Sequence, residues 1–205
     1  AYMFESTEIR AMLLDDFARR GTLRAAFDSS KAIDTAPYRL FRAEAASRLS
    51  EFETALVEFR VLGDEYPQFS EFTEKSLTLA RSTGQKDPAK LHDAAEIAAR
   101  QTRLFPADAA FLTRAGEIYA ELGDYDTART FWQKIPESAI GEDASHLESA
   151  AVFWDYFQFN DALAAIGTFR EKRGDARLLS FEAGAIREAQ RDRTGAIAEY
   201  FKELE

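Results

Sequence analysis

Apolar residues recur at helical spacing along most of the chain. Within residues 109–122, Phe111, Ala115, Ile118 and Tyr119 fall three or four positions apart, which is the pattern of a helix that buries one face. A Gly-Asp pair then indicates a turn, and a second apolar stretch ends at a proline, which cannot continue a helix. This part of the chain is therefore predicted to form two helices joined by a tight turn.

The same hairpin pattern repeats. Ala94, Ala128, Ala162 and Ala196 are each 34 residues apart, and most carry a larger side chain four residues later. A small residue lets two helix backbones approach closely, and the larger side chain fills the space beside that contact. One hairpin cannot bury its apolar faces alone, so neighbouring hairpins are expected to stack. Ala25 and Ala55 belong to the same series at less regular spacing. The residues four positions after these six alanines are Ser29, Phe59, Ala98, Trp132, Ile166 and Tyr200; Trp132 is predicted to lie in the core.

The pattern resembles the tetratricopeptide repeat (TPR) family, whose 34-residue unit carries a small residue, a tyrosine, an alanine and an aromatic residue in this order. Gly116, Tyr119 and Ala128 carry the resemblance most clearly. It implies an all-α fold, a right-handed α-α superhelix (TPR-like solenoid) of about five to six helical hairpins. A single solenoid domain is predicted over residues 1–205. Its predicted units are approximately 1–35, 36–69, 70–108, 109–142, 143–176 and 177–205, and residues 84–88 of the third unit are expected to form a longer turn that holds five extra residues.

Composition excludes several kinds of chemistry. The chain has no cysteine and a net charge of −10, so thiol chemistry, disulfides and cysteine-ligated metals are absent and nucleic acid is not an expected partner. No glycine-rich phosphate loop or nucleophile elbow occurs. His92 and His146 lie far apart without further ligands at zinc spacing, so both are expected at exposed or helix-start positions. The sequence therefore predicts no catalytic site, metal or cofactor, and no membrane insertion.

In the TPR family, the first helix of each unit lines a concave surface where ligands bind. Carried over by position in the repeat, the resemblance implies a groove with apolar side chains and an acidic rim, which suits a peptide with apolar anchors and basic flanks. The positions at which some TPR domains use Lys and Asn to clamp acidic tails hold neither residue here. The expected groove residues are Leu40, Glu44, Arg48, Arg81, Glu117, Glu121, Leu147, Trp154, Asp155, Phe181 and Glu188.

Three functions are compatible with these features of the sequence. The first is a non-catalytic scaffold that binds a peptide or helical segment of another protein in the groove. The second is a structural spacer or lever in a larger bacterial envelope or secretion assembly, because both ends of the sequence suggest a fragment. The third is a small-ligand or glycan binder that uses the aromatic residues around Trp154. A bacterial protein of the cytoplasm or periplasm is expected, and the oligomeric state stays open.

Overall fold

The computed structural model describes residues 5–84 and 87–202, and within these ranges every regular element is helical. The all-α prediction is confirmed. No described helix combines the length and the apolar character needed to cross a membrane. The elements are α1 (Thr7–Arg19), α2 (Leu23–Ser30), α3 (Ala36–Arg48), α4 (Phe52–Glu65), α5 (Ser70–Gly84), α6 (Pro88–Leu104), α7 (Ala109–Glu121), α8 (Tyr125–Trp132), a 3₁₀ turn (Ile135–Glu137), α9 (Glu142–Asp155), α10 (Phe159–Arg173), α11 (Ser180–Ala189) and α12 (Arg193–Lys202).

Helices α1–α2, α3–α4, α7–α8, α9–α10 and α11–α12 pack against each other as hairpins, and α5 and α6 form a further pair that meets closely at Gly84 and Leu91. Each predicted repeat range contains one pair. The single deviation is that α9 begins at Glu142, one residue before the predicted boundary. The chain divides into two compact units, and the boundary between them in the sequence falls within α6. Unit 1 extends to Arg100 and unit 2 begins at Gln101. The prediction of a single domain across both units stays a prediction.

A three-residue turn joins the helices of the five hairpins whose turns lie wholly within the described residues. In each of these five turns the middle residue is left-handed, with φ between 59° and 80°. In each of these turns the third N–H donates to the carbonyl five residues earlier, as from Asp124 to Tyr119 at 2.9 Å. This is the Schellman arrangement, which ends one helix and sets the direction of the next. The middle residues are Gly21, Ser50, Gly123, Phe157 and Arg191.

The five extra residues of the third hairpin lie mainly in its helices. The expected longer turn over residues 84–88 is wrong, because α5 continues through Gly84 and α6 begins at Pro88; Gln85 and Lys86 are outside the described residues. The two helices have 15 and 17 residues, whereas the 109–142 unit pairs helices of 13 and 8. Added residues that extend a helix gain backbone hydrogen bonds, which a longer loop would leave to water.

Small and large residues interlock inside the hairpins. Trp132 is completely buried, and its indole N–H donates to the carbonyl of Thr113 at 3.2 Å. A Cβ atom on Gly116 would overlap this indole ring, and one on Gly184 would overlap the ring of Tyr200. The prediction that Trp132 belongs to the core is confirmed, and the spacing of small and aromatic residues has the predicted packing role.

Candidate functional site

The first helices of three successive hairpins enclose an open cavity of about 470 Å³ in unit 1. We call it the groove cavity. Its deepest lining residues are apolar, since Leu14 and Phe59 are almost completely buried, and hydroxyl and charged groups surround them. A cavity of this size with an apolar lining and a few polar groups has the character of a binding site. It is lined by Thr7, Ala11 and Leu14 from α1, Glu44, Ser47 and Arg48 from α3, Phe59 from α4, and Lys75, Thr78 and Leu79 from α5.

A buried ion network joins the three helices beneath the groove cavity. Arg10 of α1 is 3% exposed and Glu44 of α3 is 8% exposed, and the Arg10 Nε atom donates to Glu44 Oε1 at 3.0 Å. Arg10 also bonds to the carboxylate of Glu71 on α5. Lys75 of α5 donates to Glu44 at 3.2 Å and pairs with Glu71 at 2.8 Å. Two cations and two anions therefore compensate one another where the helices meet.

Two further contacts hold side chains at the edge of the groove cavity. Arg48 donates to the carbonyl of Ala11 at 3.0 Å and pairs with Asp15 at 2.9 Å. The Lys75 ammonium lies 5.3 Å from the centre of the Phe59 ring, which is within the range of a cation–π interaction. These contacts hold the walls of the groove cavity in place.

Comparisons with known proteins agree on the fold. Neither a protein-family model nor a curated protein matches the sequence. A crystal structure of MamA matches with a TM-score of 0.52 and 14% identity, over 82% of this chain and 90% of that one. A tetratricopeptide repeat protein from Parabacteroides merdae ATCC 43184 matches with a TM-score of 0.51 and 15% identity, over 94% of this chain and 77% of that one. This chain has the TPR fold.

The TPR resemblance inferred from the sequence is thus confirmed, and the predicted groove residues of unit 1 can be placed in this fold. Glu44 and Arg48 line the groove cavity. Arg81 is half-buried on α5 and is not among the lining residues. The expectation for Leu40 needs correction, because this side chain is completely buried. It packs in a core cluster with Leu14 and Phe27, since the first hairpin covers the beginning of α3.

The remaining predicted groove residues lie in unit 2 of the chain. Leu147 and Phe181 are large apolar residues with 42% and 64% of their surface exposed, whereas Trp154 is half-buried against the core. Glu188 accepts a hydrogen bond from the Tyr200 hydroxyl at 3.0 Å. Burial and this carboxylate raise the pKa of Tyr200 above its ordinary value. The other predicted residues are half-buried Glu117 and exposed Glu121 and Asp155.

The sequence did not indicate two residues that the fold places in the ion network beside the groove cavity. Arg10 and Lys75 complete the network with Glu44, but charged residues on amphipathic helices normally face water, so their spacing gave no signal.

The two histidines differ in their surroundings. His92 is exposed as expected. The expectation for His146 is wrong, because this residue is only 2% exposed and its ring stacks on Phe169 at 4.8 Å. Among the described residues, no three His, Asp or Glu side chains converge to hold a metal ion.

Proposed function

We propose that this chain is a protein-interaction scaffold that binds a peptide or helical segment of another protein along its concave groove. The observation that carries the proposal is the groove cavity, which α1, α3 and α5 form together. A segment lying across successive first helices would place an apolar side chain in the cavity, against Leu14 and Phe59. No chemical step is part of this function.

The groove cavity is suited to this role because its walls are held in advance. The ion network of Arg10, Glu44, Glu71 and Lys75 ties three helices together. A binding surface that is already ordered loses little conformational entropy when a partner docks. The hydroxyl groups of Thr7, Ser47 and Thr78 at its edge offer hydrogen bonds to the backbone of a partner.

The partner we propose carries apolar anchors with basic flanks. The chain has a net charge of −10, and two of its repeat ranges, 109–142 and 143–176, each hold six acidic residues against three basic ones. Leu147 and Phe181 offer exposed apolar surface in unit 2, where Asp155 is an exposed carboxylate. Complementary charge of this kind chiefly speeds association and weakens as salt screens it.

The test uses peptides selected from a displayed random library with the complete chain as the target. Affinities of the selected peptides are then measured by fluorescence anisotropy for two variants. Thr78→Trp puts an indole at the groove cavity. Thr168→Trp is the matched control, because both threonines are exposed and each bonds to the carbonyl four residues earlier in its helix.

The proposal predicts that Thr78→Trp weakens binding at least about tenfold, which corresponds to about 1.4 kcal/mol, while Thr168→Trp binds like the unmodified chain. Selected peptides should share a large apolar residue that fits against Leu14 and Phe59. Failure to select any peptide contradicts the proposal, and so does an equal loss of affinity in both variants.

A further inference from the structure

A second cavity of unit 1, of about 530 Å³, lies among α1, α2, α3 and the segment between α2 and α3. We call it the ring cavity. It shares no lining residue with the groove cavity. Three of its lining side chains are large, apolar and exposed, namely Leu13, Ile33 and Tyr38. Its lining also includes Phe17, Ser29 and Phe41.

The ring cavity lies beside a position that other hairpins fill with a ring. Ser29 occupies the repeat position at which Phe59, Trp132 and Tyr200 occur. In the fourth and sixth hairpins the aromatic ring at this position packs directly on a glycine of the first helix. In the first hairpin the small side chain of Ser29 leaves that space open, and Leu13 is 43% exposed rather than packed into it.

The lining of the ring cavity favours a neutral occupant. None of its nine lining residues is charged, whereas the groove cavity carries Glu44, Arg48 and Lys75. A charged ligand would lose hydration here without gaining a counter-charge in the lining. The rings of Phe17 and Phe41 meet edge to face with centroids 5.8 Å apart, and this wall can extend the same packing to a further aromatic ring.

The hydroxyl groups of the ring cavity define the polarity of the ligand further. Ser29 donates its hydroxyl proton to the carbonyl of Ala25 at 2.8 Å, and Ser30 donates to Phe27 at 2.6 Å. Since both protons are already used, these oxygen atoms can only accept a hydrogen bond from a ligand. A ligand that bonds to these two serine oxygens therefore carries an N–H or O–H donor.

We propose that the ring cavity binds a free, uncharged aromatic molecule of one or two rings that carries a hydrogen-bond donor. An apolar cavity of about 150 Å³ is enough to hold a benzene-sized ring, so the observed volume accommodates a bicyclic compound and its substituents. The site does not depend on the proposed peptide groove, because the two cavities have different lining residues. The groove cavity has charged residues in its lining, and the ring cavity has none.

The test is a titration of the isotope-labelled full chain with indole, followed by two-dimensional NMR. Cyclohexanol serves as the non-aromatic probe. It is about the size of a single six-membered ring and carries a hydroxyl donor. A blocked Gly-Trp-Gly peptide presents the same indole as part of a chain. Ser29→Trp fills the cavity from within. Ala26 also lines the ring cavity, and Ala26→Leu fills it less drastically if the first variant folds poorly. Ser82→Trp, at an exposed serine of α5, is the matched control.

Indole is expected to cause saturable shifts of the Ser29, Ser30 and Tyr38 amide signals. These shifts should be lost in Ser29→Trp, reduced in Ala26→Leu and retained in Ser82→Trp. Absence of a saturable shift with indole would overturn the site. An equal response to cyclohexanol would overturn the aromatic class of ligand, and tighter binding of the peptide than of indole would overturn a free molecule as the occupant.

Discussion

At the residue scale, three turns place a non-glycine residue in the left-handed region. Ser50, Phe157 and Arg191 have φ values of 61°, 59° and 65°, and a side chain in this conformation costs about 1–2 kcal/mol. The equivalent positions in other hairpins are Gly21 and Gly123. The Schellman geometry is thus kept even where the sequence supplies no glycine, because it satisfies the last carbonyl groups of each first helix.

Arg191→Gly should raise the free energy of unfolding by up to about 1 kcal/mol, because glycine adopts the left-handed conformation without strain. The matched control is Gly123→Ala. A Cβ atom there would meet nothing within 4 Å, so only the backbone conformation is tested, and stability should fall by about 1 kcal/mol. Urea denaturation measures both; changes of the same sign would contradict the account.

His146 is the other residue whose environment is unusual. Neither ring nitrogen has a hydrogen-bond partner, and burial is the main reason that its pKa is lowered, with a smaller effect from Lys172. Glu142 and Asp143 oppose this shift. Below pH 6.5, the ordinary pKa, the unfolded chain therefore takes up a proton on this residue more readily than the folded chain does.

Stability should consequently decrease as the pH falls from about 7 to about 5, and the contribution of His146 should be fully present above pH 6.5. His146→Phe keeps a ring against Phe169 and removes both unpartnered nitrogens. It should raise stability by about 1 kcal/mol and flatten the pH dependence in this range. Thermal unfolding across the pH series is the measurement, with His92→Gln as the control at an exposed histidine. An unchanged pH profile in His146→Phe would refute the assignment.

The sequence could not place His146 or Leu40, and the reason is geometric. Successive residues of a helix point about 100° apart, so an error of one position in a repeat alignment turns an exposed residue toward the core. Its repeat position predicts Leu40 on the concave face, but the first hairpin covers it together with Leu14. Burial at such positions depends on the neighbouring hairpin rather than on the helix itself.

At the scale of elements, the ion network ties α1, α3 and α5 together at the groove. Glu44→Gln should lower the free energy of unfolding by about 3 kcal/mol, because it removes the more deeply buried of the two carboxylates that compensate Arg10. Asp143→Asn breaks the exposed pair with Arg173 and should cost less than about 1 kcal/mol. Denaturation curves of the two variants that coincide would show that the network does not stabilise unit 1.

The hairpins themselves were predictable because their signal is repeated. The 34-residue spacing and the small residues facing aromatic ones, such as Gly116 and Trp132, report packing that recurs in each unit. The third hairpin broke this regularity, and the sequence could not show whether its five extra residues extend helices or a turn. In the structure α5 extends through Gly84 and α6 begins at Pro88, so both residues are helical where the sequence predicts a turn.

At the scale of the whole molecule, unit 1 carries two cavities with distinct chemistry on adjacent helices. One has charged and hydroxyl groups around an apolar floor, and the other has no charged lining residue. Repeat position predicts Glu44 and Arg48 in the groove, and both line the groove cavity. The second was beyond sequence reasoning, because it depends on where Leu13 and Tyr38 come to lie when no ring fills the space beside Ser29.

The central claim is that a partner segment binds across the first helices of unit 1. The most direct measurement is photo-cross-linking to the unmodified chain of a selected peptide that carries a benzophenone group beside its apolar anchor, followed by mass spectrometry. The account predicts cross-links to residues that line the groove cavity, such as Thr7, Ser47 and Thr78, and none to the part of α10 around Thr168. Cross-links confined to other parts of the chain, or no cross-link while the peptide still binds, would contradict it.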